Sequence, residues 1–166
     1  MQCHGFDPVA DTNARILILG TLPGAESLKQ KRYYAKRTNQ FWCLIEELIG
    51  SLPDSYEDCL EKLKDNGIAL WDVCFSAERA GSLDSRIVAA SVVPNDFDSF
   101  LRSHPHIRLI CFNGQTAEKL FRRKVNASIS GVRYELLPSS SAAHAIGHAS
   151  KLTSWRNILG NAIALP

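Results

Sequence analysis

Apolar residues along this chain fall into two patterns. Four short runs are continuous rather than alternating: Arg15-Ile16-Leu17-Ile18-Leu19-Gly20, Ile68-Ala69-Leu70-Trp71-Asp72-Val73, Ile107-Arg108-Leu109-Ile110-Cys111-Phe112 and the shorter Tyr134-Glu135-Leu136-Leu137. Continuous runs of that length are the mark of parallel strands covered on both faces. Between them, Phe41, Trp42, Ile45, Leu48 and Ile49 recur at helical spacing and predict a helix ending near Gly50 and Pro53. A second helix is predicted from Ser55, with Asp58 completing a capping pattern, to Asn66-Gly67. Further helices are predicted over Asp96 to Ser103, Gln115 to Arg123 and Leu152 to Ala164. Strand and helix alternate, which predicts a three-layer α/β/α sandwich with right-handed crossovers.

In such a sheet, ligands sit beyond the carboxyl ends of the strands. The residues there are Gly20-Thr21-Leu22-Pro23-Gly24 after the first run, Asp72 at the end of the second, Asn113-Gly114 after the third and Pro138-Ser139-Ser140-Ser141 after the fourth. The first of these turns the chain tightly and exposes backbone amides able to hold an anion or a planar heterocycle. It lacks the spacing of a phosphate-binding P-loop and the third glycine of a dinucleotide fingerprint. The serines lie in no Gly-x-Ser-x-Gly elbow, so a hydrolase triad has little support.

Composition narrows the class. The chain has 166 residues, 45% apolar and 22% charged, the balance of one folded domain over residues 1–166. No apolar run is long enough to cross a bilayer, and Met1-Gln2-Cys3-His4 does not open a secretory signal, so a cytoplasmic protein without membrane contact is expected. The cysteines Cys3, Cys43, Cys59, Cys74 and Cys111 are widely spaced and include no Cys-x-x-Cys, which points to free thiols rather than disulfides or a metal site. Net charge is only +2, yet Lys29, Lys31, Arg32, Lys36 and Arg37 form an acid-free stretch and leave the remainder at −3. Arg122, Arg123, Lys124 and Arg133 form a second such cluster. Patches of this kind suit a polyanion.

The segment from Tyr33 to Trp42 interleaves aromatics with cations, as suits stacking on bases and contact with phosphates. The same segment also reads as a loop entering a core helix, with Phe41 and Trp42 inside and Asn39 or Thr38 as the cap. His144 and His148 stand four apart, but Gly147 between them weakens a helix and no third ligand is evident. Contact of His144 with a phosphate or a groove edge is the better expectation than a metal site.

Taken together and in order, Gly20-Thr21-Leu22-Pro23-Gly24, Tyr34-Ala35-Lys36-Arg37-Thr38-Asn39-Gln40-Phe41-Trp42 and Leu137-Pro138-Ser139-Ser140-Ser141 resemble the uracil-DNA glycosylase superfamily, and within it the hypoxanthine-DNA (deoxyinosine) glycosylase branch. The likeness covers nearly the whole chain. It implies a central four-stranded parallel sheet between helices and hydrolysis of the bond joining a deaminated base to deoxyribose. The base must first be flipped out of the duplex, which costs a few kcal/mol. By the resemblance, Tyr34 stacks on the flipped base and Asn39 is the catalytic residue. Gly20, Thr21, Leu22 and Asp72 bind the base. Lys36, Arg37, Pro138, Ser139, Ser140, Ser141 and His144 contact DNA. The resemblance implies action on DNA containing a deaminated base; a monofunctional enzyme that uses water and needs no cofactor or metal is expected, and nothing in the sequence requires more than a monomer. Its place is the cytoplasm, on the nucleoid if the source is bacterial or archaeal.

Two positions depart from the pattern. Leu22 stands where many relatives place Asp or Asn to orient water, and Leu137 stands where many place His or Asn to stabilise the leaving base. The water-orienting role then passes to Asn39. Asp72, taken as ionised, accepts hydrogen bonds only and so repels adenine and cytosine, and Asp72→Asn is expected to relax discrimination. Asp72 also admits a plainer role, as a loop cap or a partner of Arg79 or Arg86. Hypoxanthine is the expected base, with uracil or mismatched uracil and thymine as the alternative. A nucleic-acid-binding module without catalysis and a nucleotide-binding α/β domain are the competing classes.

Overall fold

The computed structural model describes residues 1–125 and 129–163. Its elements run β1 (Gln2–His4), β2 (Ile16–Gly20), α1 (Ala25–Gln30), α2 (Phe41–Ile49), α3 (Tyr56–Asp65), β3 (Ile68–Asp72), β4 (Cys74–Glu78), β5 (Val93–Pro94), α4 (Phe97–Ser103), β6 (Leu109–Asn113), α5 (Gln115–Lys124), β7 (Arg133–Leu137) and α6 (His148–Ile163). The four apolar runs become a four-stranded sheet in the order β3-β2-β6-β7, parallel throughout. Every residue of β2, β3 and β6 is buried, whereas β7, at the sheet edge, is partly exposed.

Alternate residues of the strands feed two cores. Leu17, Leu19, Ala69, Trp71, Ile110 and Phe112 pack with Phe97, Phe100, Leu101, Leu120 and Phe121 of α4 and α5. Ile16, Ile18, Ile68, Leu70, Leu109 and Cys111 pack with Phe41, Leu44, Ile45, Leu63, Trp155 and Leu159 of α2, α3 and α6. That two-sided burial is the three-layer arrangement the hydrophobic pattern predicts.

The helix ends follow their capping chemistry. Ser55 Oγ accepts from the Asp58 N–H at 3.1 Å, and Asp96 Oδ1 accepts from the Ser99 N–H at 3.0 Å. Helix α6 starts at His148, directly after Gly147 and four residues before the predicted start at Leu152. Ala164, its predicted end, lies outside the described residues.

Two features are absent from the sequence reading. A small antiparallel sheet, β1-β4-β5, packs against the first core, and the six-residue α1 follows the first motif. Strands of three and two residues, one of them containing Pro94, are too short for a periodic signal.

The chain leaves β2 for β3 on one side and later returns to β6 on the other, so the order reverses at β2. A crevice outside the carboxyl end of that strand is where such sheets bind ligands.

Candidate active site

The crevice is present as a cleft of about 1090 Å³, lined by the loops that follow β2, β4, β6 and β7, by Asp72 at the end of β3 and by the segment entering α2. Tyr34, Asn39 and Asp72, which are distant in the chain, all line it, as do Gly20, Thr21, Leu22, Lys36, Arg37, Pro138, Ser139, Ser140, Ser141 and His144.

Glycine at position 20 has a local cause. A Cβ there would fall on Asp72 Oδ1 and lie 3.2 Å from the Tyr34 hydroxyl, so the residue makes room for both groups. Asp72 Oδ2, Tyr34 OH and Thr21 Oγ1 are buried without a well-formed hydrogen bond, although Asn113 faces the Tyr34 hydroxyl and Asp84 faces Thr21. Buried polar atoms are nearly always paired, so Asp72 Oδ2, which has no such partner, points to a group awaiting a ligand or water. The side chain of Leu22 turns into the first core. Its carbonyl and that of Pro23 accept from the Arg79 guanidinium at 3.2 and 2.5 Å.

Tyr34 is held in the left-handed region at φ 55°, rare for a bulky residue and characteristic of sites where surrounding structure dictates the backbone. Its ring stacks on Phe41 with centroids 3.9 Å apart and planes 14° apart. Phe41, fully buried, is therefore the backing of an aromatic plate at the cleft wall. Burial, with the Asp72 carboxyl close by, pushes the Tyr34 hydroxyl above its ordinary range, so it stays protonated.

Asn39 has two occupations. Its Oδ1 accepts from the Phe41 N–H at 2.9 Å, which secures the first turn of α2, while the formal cap residue, Gln40, makes no side-chain cap. The amide Nδ2 is left to act in the cleft. Ser27 Oγ accepts from the Ala35 N–H at 3.2 Å, and the Gln40 N–H donates to the Ser140 carbonyl at 2.9 Å, so the loop is tied down on two sides.

Asn113 and Ser140 form a buried clasp. Asn113 Nδ2 donates to Ser140 Oγ at 2.8 Å, and the Ser140 N–H donates to Asn113 Oδ1 at 2.8 Å. Ser140, expected among the DNA contacts, is wholly buried, and its hydroxyl shapes the loop instead of meeting DNA. The Pro138 carbonyl accepts from the Trp155 indole at 3.0 Å, and the carbonyl of Ser141 accepts from Lys151 Nζ at 2.9 Å. Lys151 is fully buried, and that desolvation lowers its pKa. Ser139 and Ser141 remain partly exposed with hydroxyls able to donate outward. Lys36, Arg37 and His144 are exposed at the cleft rim.

The second basic cluster lies elsewhere. Arg122, Arg123 and Lys124 occupy the last turn of α5, about 15 Å along the helix from the end that meets the cleft. Arg122 pairs with Glu118 and Arg133 with Glu135. His144 lies in the turn before α6 and His148 opens that helix, so the pair does not share a helical face. Among the described residues no group of three potential metal ligands occurs.

The ionisation of Asp72 departs from expectation. Burial, reinforced by the nearby Asp84 and only partly opposed by Arg79, pushes its carboxyl up to about 8. Asp72 is therefore neutral at pH 7 and can donate as well as accept. A neutral carboxyl matches the N1–H and C6=O edge of hypoxanthine with two hydrogen bonds. By moving its proton to the other oxygen, it can also pair with adenine. Repulsion of normal bases by a charged Asp72 is thus not available at neutral pH.

Sequence reasoning named Arg79 only as a partner of Asp72 and placed Asp84 only on the cleft rim, and it missed Lys151. Each is a charged residue whose meaning lies in the loops it faces.

A parallel α/β sheet with a polar cleft at its switch point, an aromatic plate in the cleft wall and cations on one rim defines a protein built to take a planar ring from a polyanion. The chain belongs to the uracil DNA glycosylase superfamily, whose family model matches residues 6–159. It is 41% identical over 162 residues to the hypoxanthine DNA glycosylase of Methanosarcina acetivorans, covering 93% of this chain and 96% of that one. To the hypoxanthine DNA glycosylase of Methanosarcina barkeri it is 36% identical over 160 residues, with 93% and 96% covered. A solution NMR structure of a candidate uracil DNA glycosylase from Methanosarcina acetivorans superposes with a TM-score of 0.79 at 39% identity, covering 97% of this chain and 98% of that one.

Proposed function

We propose that this protein is a DNA repair glycosylase that hydrolyses the N-glycosidic bond of hypoxanthine flipped out of DNA. The observation that carries the reading is the convergence of Tyr34, Asn39 and Asp72 on one cleft, with the buried Asp72 Oδ2 left unpartnered. The relatives named hypoxanthine DNA glycosylase support the choice of base.

In this reading the flipped base stacks on the Tyr34 plate, and neutral Asp72 pairs with its N1–H and O6. Breaking the bond leaves its electron pair on N9 and positive charge on the sugar, so donors aimed at the base supply much of the catalysis. The Thr21 and Leu22 amides are assigned to the base, and the Asn39 amide orients the water that adds to C1′. An amide is a poor base, so the water gives up its proton only as bond breaking advances, and the departing base takes up a proton to leave as neutral hypoxanthine. Lys36, Arg37, Ser139, Ser141 and His144 hold phosphates on either side of the flipped nucleotide and offset the flipping cost. The reading invokes no lysine nucleophile, so borohydride should trap no covalent adduct.

Time courses on duplexes carrying one deoxyinosine, deoxyuridine or deoxyxanthosine test the assignment. Release of hypoxanthine ahead of the other bases is expected. Release of uracil alone would overturn it, and tight, salt-sensitive binding without release of any base would favour a non-catalytic module.

A further inference from the structure

Arg79 follows β4 and is 1% exposed, among the largest fully buried side chains. Its guanidinium makes three hydrogen bonds, all to backbone carbonyls: Nε to Gly81 at 3.0 Å, and the terminal nitrogens to Leu22 and Pro23. Asp84, the one carboxylate it pairs with among the described residues, stands 3.9 Å away and is half-exposed. A buried cation is costly unless its fork is filled, and this fork is filled by the two loops that form the cleft floor and one rim.

We propose that Arg79 is a positioning residue for base excision: it fixes the Leu22 and Pro23 carbonyls beneath the cleft and supplies, among the described residues, the positive charge that faces the Asp72 and Asp84 carboxyls. This rests on the excision reading above and deepens it.

Two observations carry the assignment. In a trans peptide the N–H points opposite the carbonyl, so holding Pro23 O from below turns the Gly24 N–H away from Arg79, and Gly24 lines the cleft. Electrostatics give the second. Arg79 opposes the upward shift of both carboxyls, which burial drives. The other titratable groups around Asp72 are Tyr33, Tyr34 and Cys74, each pushed upward and uncharged at pH 7. Arg79 thus lowers the pH at which Asp72 loses its proton, against the larger upward push of burial and Asp84.

The test uses the full chain, with melting curves to verify folding and kcat/KM for deoxyinosine excision from pH 6 to 10. Removing the charge in Arg79→Gln is expected to move the basic limb upward by at least half a pH unit and lower kcat at least tenfold. Keeping the charge without the fork in Arg79→Lys is expected to leave the limb in place while kcat still falls. If Arg79→Gln does not fold, Arg79→Lys decides: loss of kcat with the limb fixed supports the proposal, and wild-type kcat overturns it. A folded Arg79→Gln variant with the wild-type limb and kcat also overturns it. Failure of the wild type itself to release a base strikes the excision reading instead.

Discussion

Asp72→Asn is the most informative single change, because asparagine is nearly isosteric with the neutral carboxyl and cannot ionise. With the carboxyl at about 8, Asp72 is about 90% neutral at pH 7 and about 10% neutral at pH 9. If the neutral form reads the base, kcat/KM of the wild type should fall about tenfold across that interval, since this parameter reports groups in the free enzyme. The Asp72→Asn variant should keep excision at pH 7, keep its substrate profile there and lose the fall. Stability supplies an independent reading with a definite sign. Below the ordinary value of 3.8 both folded and unfolded chains hold the proton; above it the unfolded chain releases it while the folded chain retains it until about 8. Stability therefore declines as pH rises through this window, by about 1.4 kcal/mol per unit, with a ceiling of about 4 kcal/mol at pH 7. An amide at this position carries no such cost, so the variant should melt higher than the wild type at pH 7, and the gap should close near pH 4. A folded variant without activity, or one that retains the wild-type fall above pH 8, would refute the reasoning.

Asn39→Ala removes both the cleft amide and the acceptor for the Phe41 N–H, so it should lose turnover and about 1 kcal/mol of stability. Asn39→Asp keeps that acceptor and should lose turnover without the stability cost. DNA binding nearly unchanged in both, measured by anisotropy, separates catalysis from docking. Lys36→Ala and Arg37→Ala should weaken binding to every sequence alike, each reducing the slope of log K against log salt by about 1. Gly20→Ala places a methyl on Asp72 Oδ1, which can move because it is a side-chain end. Melting should change little while kcat/KM for deoxyinosine falls at least tenfold.

The parallel sheet and its flanking helices were legible because their signals are local: β2, β3 and β6 are continuous apolar runs, and Ser55 and Asp96 cap as their spacing implies. Asp72 was legible one step further, since residues at the ends of parallel strands share one edge, whereas Tyr34 and Asn39, which lie between α1 and α2, were brought to the site by the family resemblance. What escaped depends on facing partners far apart in the chain. Ser140 reads as one of three equivalent serines until Asn113 closes on it, and Lys151 reads as a solvated helix residue until its ammonium reaches Ser141. The charge of Asp72 was beyond sequence altogether, because it is set by burial and by Asp84, a residue of a different loop.

Those loops also explain why the two departures from the family pattern are tolerated together. Leu22 turns into the core on one face of the sheet and Leu137 into the core on the other, both buried. A polar side chain following either path would be buried without a partner, at a cost of about 1 to 3 kcal/mol. Packing at both positions therefore favours the apolar residue, and polar chemistry retreats to other residues in and beneath the cleft. Asn39 retains a free amide after capping α2, Asp72 retains an unpartnered oxygen at the cleft, and Arg79 holds the loop between them from below. A glycosidic bond that breaks by loss of an already stabilised base asks for donors and a placed water more than for a strong base, which this reduced set supplies.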